Sequence, residues 1–237
     1  MSQADPAGSS SPAGERSTLS ADYQRDWPQY FDAVAGKPPR DTLTGALDAF
    51  EREHAAGPAK ALPLAVDLGC GDGRDSRAIL ARENPTWRVL ALDSHPEAIR
   101  RCVTLCSPEH AARLAAAQLA MEAVATNPTT AALARARGVL LVNASFALPF
   151  CTPEGFEGLW AWVCGALRPG GRFCGQFFGE RDEWACVRPK SHRTRAQVLA
   201  LLDGFTLERF DEVQREGDDA TGKPKWHHVF HVVARRG

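Results

Sequence analysis

The sequence has no surplus of either charge: its 237 residues carry 28 Lys plus Arg against 29 Asp plus Glu, a formal charge of -1. It also lacks any run of basic residues. Both absences argue against the electrostatic surface that binds nucleic acid. No stretch approaches the ~18 consecutive apolar residues that mark a membrane-spanning helix. The first residues have neither the basic start nor the apolar centre of a signal peptide. Cysteine is present but shows no pairing pattern. Cys70, Cys102, Cys106, Cys151, Cys164, Cys174 and Cys186 are odd in number and scattered, with no C-x-x-C. Reduced thiols in a cytoplasmic protein are therefore expected, rather than a disulfide framework or a metal site. What remains is ordinary: 44% hydrophobic and 24% charged residues describe a soluble globular chain, long enough to bury a full core.

Residues 1–20 include 13 Ser, Ala, Gly or Pro and only Met1 and Leu19 as large apolar side chains. Such a segment cannot bury enough surface to offset its ordering entropy, so a disordered tail is expected. Residues 21–58 read as an N-terminal helical extension or lid. Tyr23, Trp27, Tyr30 and Phe31 fall on one helical face, with Pro28 marking a turn or a helix start. After a loop from Gly36 to Arg40, Thr42 to about Ala55 is helical, with Leu43, Leu47 and Phe50 on one side.

From residue 59 to 237 strands and helices alternate. Strands are expected at 64–67, 87–93, 138–142, 172–178, 205–213 and 226–234. Ser94 and Glu97, with Pro96 between them, read as a capping box for a helix through Cys106. Ser107-Pro108-Glu109 starts another helix, rich in alanine. Thr152-Pro153-Glu154 opens a third, with apolar positions 156, 159, 160, 163 and 167 at helical spacing. One α/β domain follows: a mostly parallel sheet with helices on both faces and an N-terminal helical extension.

The most informative segment is Asp67-Leu68-Gly69-Cys70-Gly71-Asp72-Gly73-Arg74, where a strand runs into three alternate glycines and then a helix. Glycine is needed where φ is positive or where a ligand approaches the main chain. A dinucleotide fingerprint wants its third glycine at position 74, which is arginine here. Asp67, two residues before the first glycine, would disfavour a pyrophosphate and suit a cationic ligand group. Asp93 ends the second strand 20 residues after Gly73, where a carboxylate can accept both hydroxyls of a ribose. The combination points to a positively charged nucleoside cofactor without a diphosphate.

Asp67 to Gly73 resembles the first motif of the class I S-adenosylmethionine-dependent methyltransferases, which have a Rossmann-like fold. Asp93 matches their ribose-binding acid. Leu141-Val142-Asn143-Ala144-Ser145-Phe146-Ala147-Leu148-Pro149-Phe150 is similar to their fourth-strand motif, and Leu167-Arg168-Pro169-Gly170-Gly171 to the turn before their fifth strand. The stretches 176–184 and 226–232 resemble a bacterial branch that includes tellurite-resistance and small-molecule methyltransferases. The resemblance implies a seven-stranded sheet with an antiparallel last strand, S-adenosylmethionine as cofactor and S-adenosylhomocysteine as product. It implies a glycine loop, Asp67, Gly69, Cys70, Gly71 and Gly73, around the methionine and ribose parts. Asp93 and Ser94 would lie at the ribose, with Met121 and Glu122 as candidates beside the adenine.

A sulfonium methyl is already activated, so in-line placement of the acceptor, a contribution of about 7–11 kcal/mol, is the main requirement. A general base adds roughly 10²–10⁴-fold, and only where the acceptor loses a proton. Asn143, at the ligand edge of a buried strand, is the candidate to meet the donor amino group or the acceptor, with Ser145 beside it. Each also has the plainer reading of a residue bonding its local backbone. Trp27, Tyr30, Phe146, Phe150, Phe178, Arg181 and Trp184 are the candidates for the acceptor pocket, with packing or a solvated turn as the competing reading. His228 and His231 fall on opposite faces of a strand, which argues against a zinc site with His227. The reading is a methyltransferase acting on a small molecule, with monomer and homodimer both open. A cofactor-binding regulator or non-catalytic partner subunit, and an NAD-dependent oxidoreductase, are the alternatives.

Overall fold

The computed structural model describes residues 25–54, 62–187 and 190–237. The tail expected at 1–20, together with Tyr23 and Ala55, lies outside the described residues.

The chain opens with two helices, α1 (Trp27–Val34) and α2 (Asp41–His54), and then alternates. β1 (Leu64–Leu68), α3 (Arg74–Leu80), β2 (Arg88–Asp93), α4 (Pro96–Thr104), the single turn α5 (Pro108–Ala111) and β3 (Leu114–Gln118) form its first half. α6 (Pro128–Ala136), β4 (Val139–Ala144), α7 (Pro153–Ala166) and β5 (Leu167–Gly179) follow. A two-residue β6 (His192–Arg193), α8 (Arg195–Leu201) and the long hairpin β7 (Phe205–Asp218) and β8 (Pro224–Arg236) complete it.

The strands form one sheet in the order β3-β2-β1-β4-β5-β8-β7, with β6 paired to β5 off that path. β1 to β5 pair in parallel, and β8 runs antiparallel to both of its neighbours. The seven-stranded sheet with an antiparallel last strand is thus present, with β6 added. Strand order reverses between β1 and β4, and ligands bind beside the carboxyl ends of strands at such a switch point.

Side-chain alternation divides the core in two. Val66, Leu68, Val142, Phe173 and Phe177 face one side, where α7 adds Phe156, Leu159, Trp160 and Val163. Ala65, Val89, Ala91 and Leu141 face the other, under α2 and α3. β4 is buried at all six positions, as a central parallel strand covered on both faces must be.

Within the segment 21–58 read as an extension or lid, α2 packs against the sheet. Leu43, Leu47 and Phe50 are at most 2% exposed within the sheet core, and burying each contributes about 1.5–3 kcal/mol. Arg172 of β5 fastens this helix. Its guanidinium bonds Glu53 of α2 and Glu208 of β7 at 2.6–3.0 Å and lies 4.4 Å from the Phe50 ring. α1, the loop after it and the first residue of α2, Asp41, reach the ligand edge.

Two local readings also change. The cap of α4 is His95, whose Nδ1 accepts from the Glu97 N–H, and not Ser94. Glu97 is drawn instead to Arg100 and Arg101 at 2.5–2.7 Å. The alanine-rich stretch expected to be helical holds a strand, because Leu114 to Gln118 pairs residue by residue with Val89 to Asp93. Main-chain pairing at a sheet edge overrides the helix preference of alanine.

Candidate functional site

A cavity of about 790 Å³ opens at the carboxyl ends of β1, β2, β4 and β5, within the ~300–1,000 Å³ typical of small-molecule sites. One half is built around the glycine loop. Gly69, Gly71 and Gly73 have φ of 66°, 55° and 81°, the left-handed region that favours glycine. Their roles differ. A Cβ on Gly69 would lie 2.5 Å from Ala147 Cβ, so that glycine admits the loop after β4. One on Gly73 would lie 2.7 Å from Cys102 Sγ, so that glycine lets α3 and α4 meet. Gly69 and Gly71 line the cavity; Gly73 and Cys70 do not.

Asp93 stands beside this loop at the end of β2. Its Oδ2 accepts the Gly71 N–H at 3.0 Å and its Oδ1 the His95 N–H at 2.8 Å. A carboxylate has about four lone-pair sites, so two remain for hydroxyl donors in the cavity that Asp93 lines. Burial pushes this carboxyl up, and the two N–H donors pull it back. Ser94, Leu119, Met121 and Glu122 continue the same wall. Glu122 is fixed by the Thr152 N–H at 2.8 Å, at the start of α7.

Two expected ligand residues prove to be internal. Asp67 is 1% exposed. Its oxygens accept from Ser76 Oγ at 2.6 Å and Asn143 Nδ2 at 2.8 Å, and it does not line the cavity. Burial and the nearby charge of Asp75 push its carboxyl up to about 7. An argument from Asp67 as an anion facing the ligand therefore fails. Asn143 is fully buried, and its Oδ1 accepts from Ser145 Oγ at 3.1 Å and Cys174 Sγ at 3.3 Å. Its amide is engaged within the sheet, leaving nothing to meet a donor or an acceptor. Ser145 does reach the cavity wall.

Phe146 follows with φ of 54°, a strained conformation that costs a bulky residue about 1–3 kcal/mol. Its N–H is held by Gln176 Oε1 at 2.8 Å, and Gln176 Nε2 donates to Thr42 Oγ1 of α2 at 2.9 Å. The Arg40 guanidinium lies 4.6 Å from the Phe146 ring.

The other half of the cavity is aromatic and cationic. Trp27, Tyr30, Phe146, Phe150, Phe178 and Trp184 line it. Arg181 does not: its side chain is 60% exposed and pairs with Glu212 at 3.7 Å. His231 and His227 project from the same face of β8 into the cavity, and burial keeps both imidazoles below their ordinary pKa. His228 points the other way, 3.0 Å from Glu212. Residues that the sequence reading did not propose for the site also line it, among them Arg25, Phe31, Gln176, Lys190 and Lys225, together with the acids Asp211, Asp218 and Asp219. An amide within the apolar run of β5 was a readable signal for Gln176. The two lysines offered none.

Residues 65–171 match the family described as "Methyltransferase domain". That match covers somewhat less than half of the chain and describes a methyltransferase domain, set here in a Rossmann-like fold. Three solved structures show how widely the fold is shared. TehB from Haemophilus influenzae is 13% identical with a TM-score of 0.62; the alignment covers 82% of this chain and 62% of that one. This chain therefore spans less than two thirds of that protein. The 1,6-didemethyltoxoflavin-N1-methyltransferase of Burkholderia thailandensis, with its substrate and S-adenosylhomocysteine bound, is 20% identical over 88% of this chain and 84% of that one, TM-score 0.54. The N-methyltransferase NodS of Bradyrhizobium japonicum, in complex with S-adenosylhomocysteine, is 15% identical over 89% and 97%, TM-score 0.53. No curated protein matches the chain in sequence. No helix among the described residues is long and apolar enough to cross a membrane.

Proposed function

We propose that the chain is a cytoplasmic S-adenosylmethionine-dependent methyltransferase acting on a small molecule, with the cofactor in the glycine-loop half of the cavity and the acceptor in the aromatic half. The observation that carries this reading is Asp93, fixed by the Gly71 and His95 amides with acceptor capacity left toward the cavity. Gly69 and Gly71 would follow the methionine part, Asp93 and Ser94 the ribose, and Leu119, Met121 and Glu122 the adenine. The residues fit the group: an acid faces the cavity where hydroxyls would lie, and Gly71 leaves open the space a Cβ would narrow toward Phe31, 3.6 Å away.

The cofactor supplies an electrophilic methyl on a sulfonium; the protein has to hold an acceptor in line with it and keep water away. The walls for that are Phe146, Phe150, Phe178 and Trp184, with Trp27 and Tyr30 of α1 beside them. Trp27 and Phe150 are 5.0 Å apart, edge to face. Where the acceptor must lose a proton, His231 is the candidate base: burial favours its neutral form, which can accept one. Ser145 is placed to orient the acceptor or the cofactor.

Titration calorimetry with S-adenosylhomocysteine tests the cofactor half, and a screen for S-adenosylhomocysteine release tests turnover. Cofactor-dependent thermal stabilisation with release from at least one acceptor is the expected result. Binding that yields no product with any acceptor would favour the non-catalytic alternative, and no binding at all would remove the reading.

A further inference from the structure

Three cations gather on one aromatic cluster in the half of the cavity away from the glycine loop. Phe150, Phe178 and Trp184 meet edge to face at centroid distances of 6.0–6.4 Å. Lys225 Nζ lies 4.3 Å from the Trp184 centroid and 4.6 Å from that of Phe178. Arg25 Cζ is 4.4 Å from Trp184 and 5.6 Å from Phe150. Lys190 Nζ is 4.8 Å from Phe150 and 5.8 Å from Trp184. All six side chains line the cavity.

Their charges are not equally answered. Lys225 is paired to the buried Asp182 at 2.7 Å, and Arg25 to Asp219 of the β7–β8 turn at 3.6 Å. Lys190 makes no ion pair among the described residues. Burial, and then the charges of Arg25 and Lys225, lower its pKa to about 8, so near neutral pH it is still mostly charged. The nearby His192 is held well below its ordinary pKa, chiefly by burial, and adds no charge at that pH. A partly desolvated cation without a counter-charge is costly. An anion entering the cavity removes that cost and gains charge-assisted hydrogen bonds. Phe150 is half-buried, whereas Phe178 and Trp184 are 4% and 6% exposed, so Phe150 is the ring with surface left to offer whatever carries the anion.

We infer that this half of the cavity takes a planar aromatic acceptor bearing a negative group, the anion beside Lys190 and Arg25 and the ring against Phe150. The assignment rests on the methyltransferase reading for the word acceptor; the anion site itself does not. Aliphatic anions would gain only the charge, and neutral aromatics only the ring.

The probes are sodium 2-naphthoate and its neutral counterpart 2-naphthamide, titrated calorimetrically into the full-length chain with and without S-adenosylhomocysteine. The naphthoate should bind about tenfold more tightly than the amide, the value of one charge-assisted hydrogen bond at its lower range. Lys190→Met should fold normally, since no ion pair is lost, and should bring the two probes level. Lys190→Gln serves the same purpose if the methionine variant is unstable. Phe150→Leu should weaken both probes together. Equal affinities in the parent protein, no binding of the naphthoate, or a preference that survives at position 190 would overturn the inference. Naphthoate binding in a protein that ignores S-adenosylhomocysteine would keep the anion site and overturn its role as an acceptor pocket.

Discussion

The two halves of the cavity are built by opposite means. The glycine-loop half is made of main chain at the ends of three neighbouring parallel strands, with the carboxylate of Asp93 held by two backbone amides. Few of its parts can move without unpairing β1 or β2. The aromatic half is made of side chains from α1, the loop after β4, the segment after β5 and the β7–β8 hairpin. Its order depends on ring contacts, cation–ring contacts and ion pairs, each individually worth little. A rigid half suits a ligand that never varies, and a half made of exchangeable side chains suits one that differs between relatives. Mutations should therefore act sharply on one side and by degrees on the other.

The largest effect is expected at Gly71. A Cβ there meets only the Phe31 ring at 3.6 Å, an ordinary contact, so the variant loses no packing. Valine at a φ of 55° adds strain of about 1–3 kcal/mol, which a domain of this size survives. Its branches would occupy space along the cavity floor. Gly71→Val should give a folded protein whose melting temperature no longer rises with S-adenosylhomocysteine. A variant that still binds at parental strength would show that the loop is not the cradle, and that the two halves do not divide as described.

Asp93→Ala comes next. Removing the carboxylate takes away two hydroxyl acceptors, each worth about 1.5–3 kcal/mol when charged. It also strips the Gly71 and His95 amides of their partner. Cofactor affinity should fall at least about tenfold with the fold retained, as read by calorimetry and circular dichroism. Unchanged affinity would take Asp93 out of the site.

The contrast between the halves also explains what the sequence made legible. Gly69, Gly71 and Asp93 sit in short segments where strand, turn and helix follow directly, so spacing alone placed them at one sheet edge. The aromatic half joins Arg25 to Asp219 across most of the chain and Lys225 to Trp184 from separate elements, and nothing local in Lys190 or Lys225 announces that contact. Asp67 and Asn143 failed for another reason. Both lie on the motif and at the expected strand ends, but they are register partners on neighbouring parallel strands and meet on the same face of the sheet; whether a polar side chain meets a ligand or a neighbour is decided by packing. β3 shows the same rule for the main chain: a run of alanine becomes a strand because β2 offers it a ladder.

Asp67 gives the smallest expected effect on the ligand and a distinct one on the fold. Its carboxyl, pushed up to about 7 by burial and the nearby Asp75, keeps its proton in the native state where the unfolded chain, with an ordinary pKa near 3.9, has lost it. Between those values the native state binds more protons, so the slope of stability against pH is negative for this group. Its share is constant below about 4 and is lost progressively as pH rises toward 7. Asp67→Asn removes the titration while keeping the shape. The new amide oxygen can accept from Asn143, and the amide nitrogen can donate to Ser76 Oγ, since a hydroxyl serves either way. Because Asp67 does not line the cavity, cofactor affinity should change by less than about twofold, well under 1 kcal/mol. Urea midpoints compared at pH values of roughly 4.5 and 7 should show the variant gaining stability relative to the parent as pH rises. Parallel profiles would mean that Asp67 is ionised throughout, with its charge answered inside the sheet. A large loss of affinity with no change in profile would instead return Asp67 to the ligand, as a further carboxylate of the rigid half beside Asp93 and Glu122.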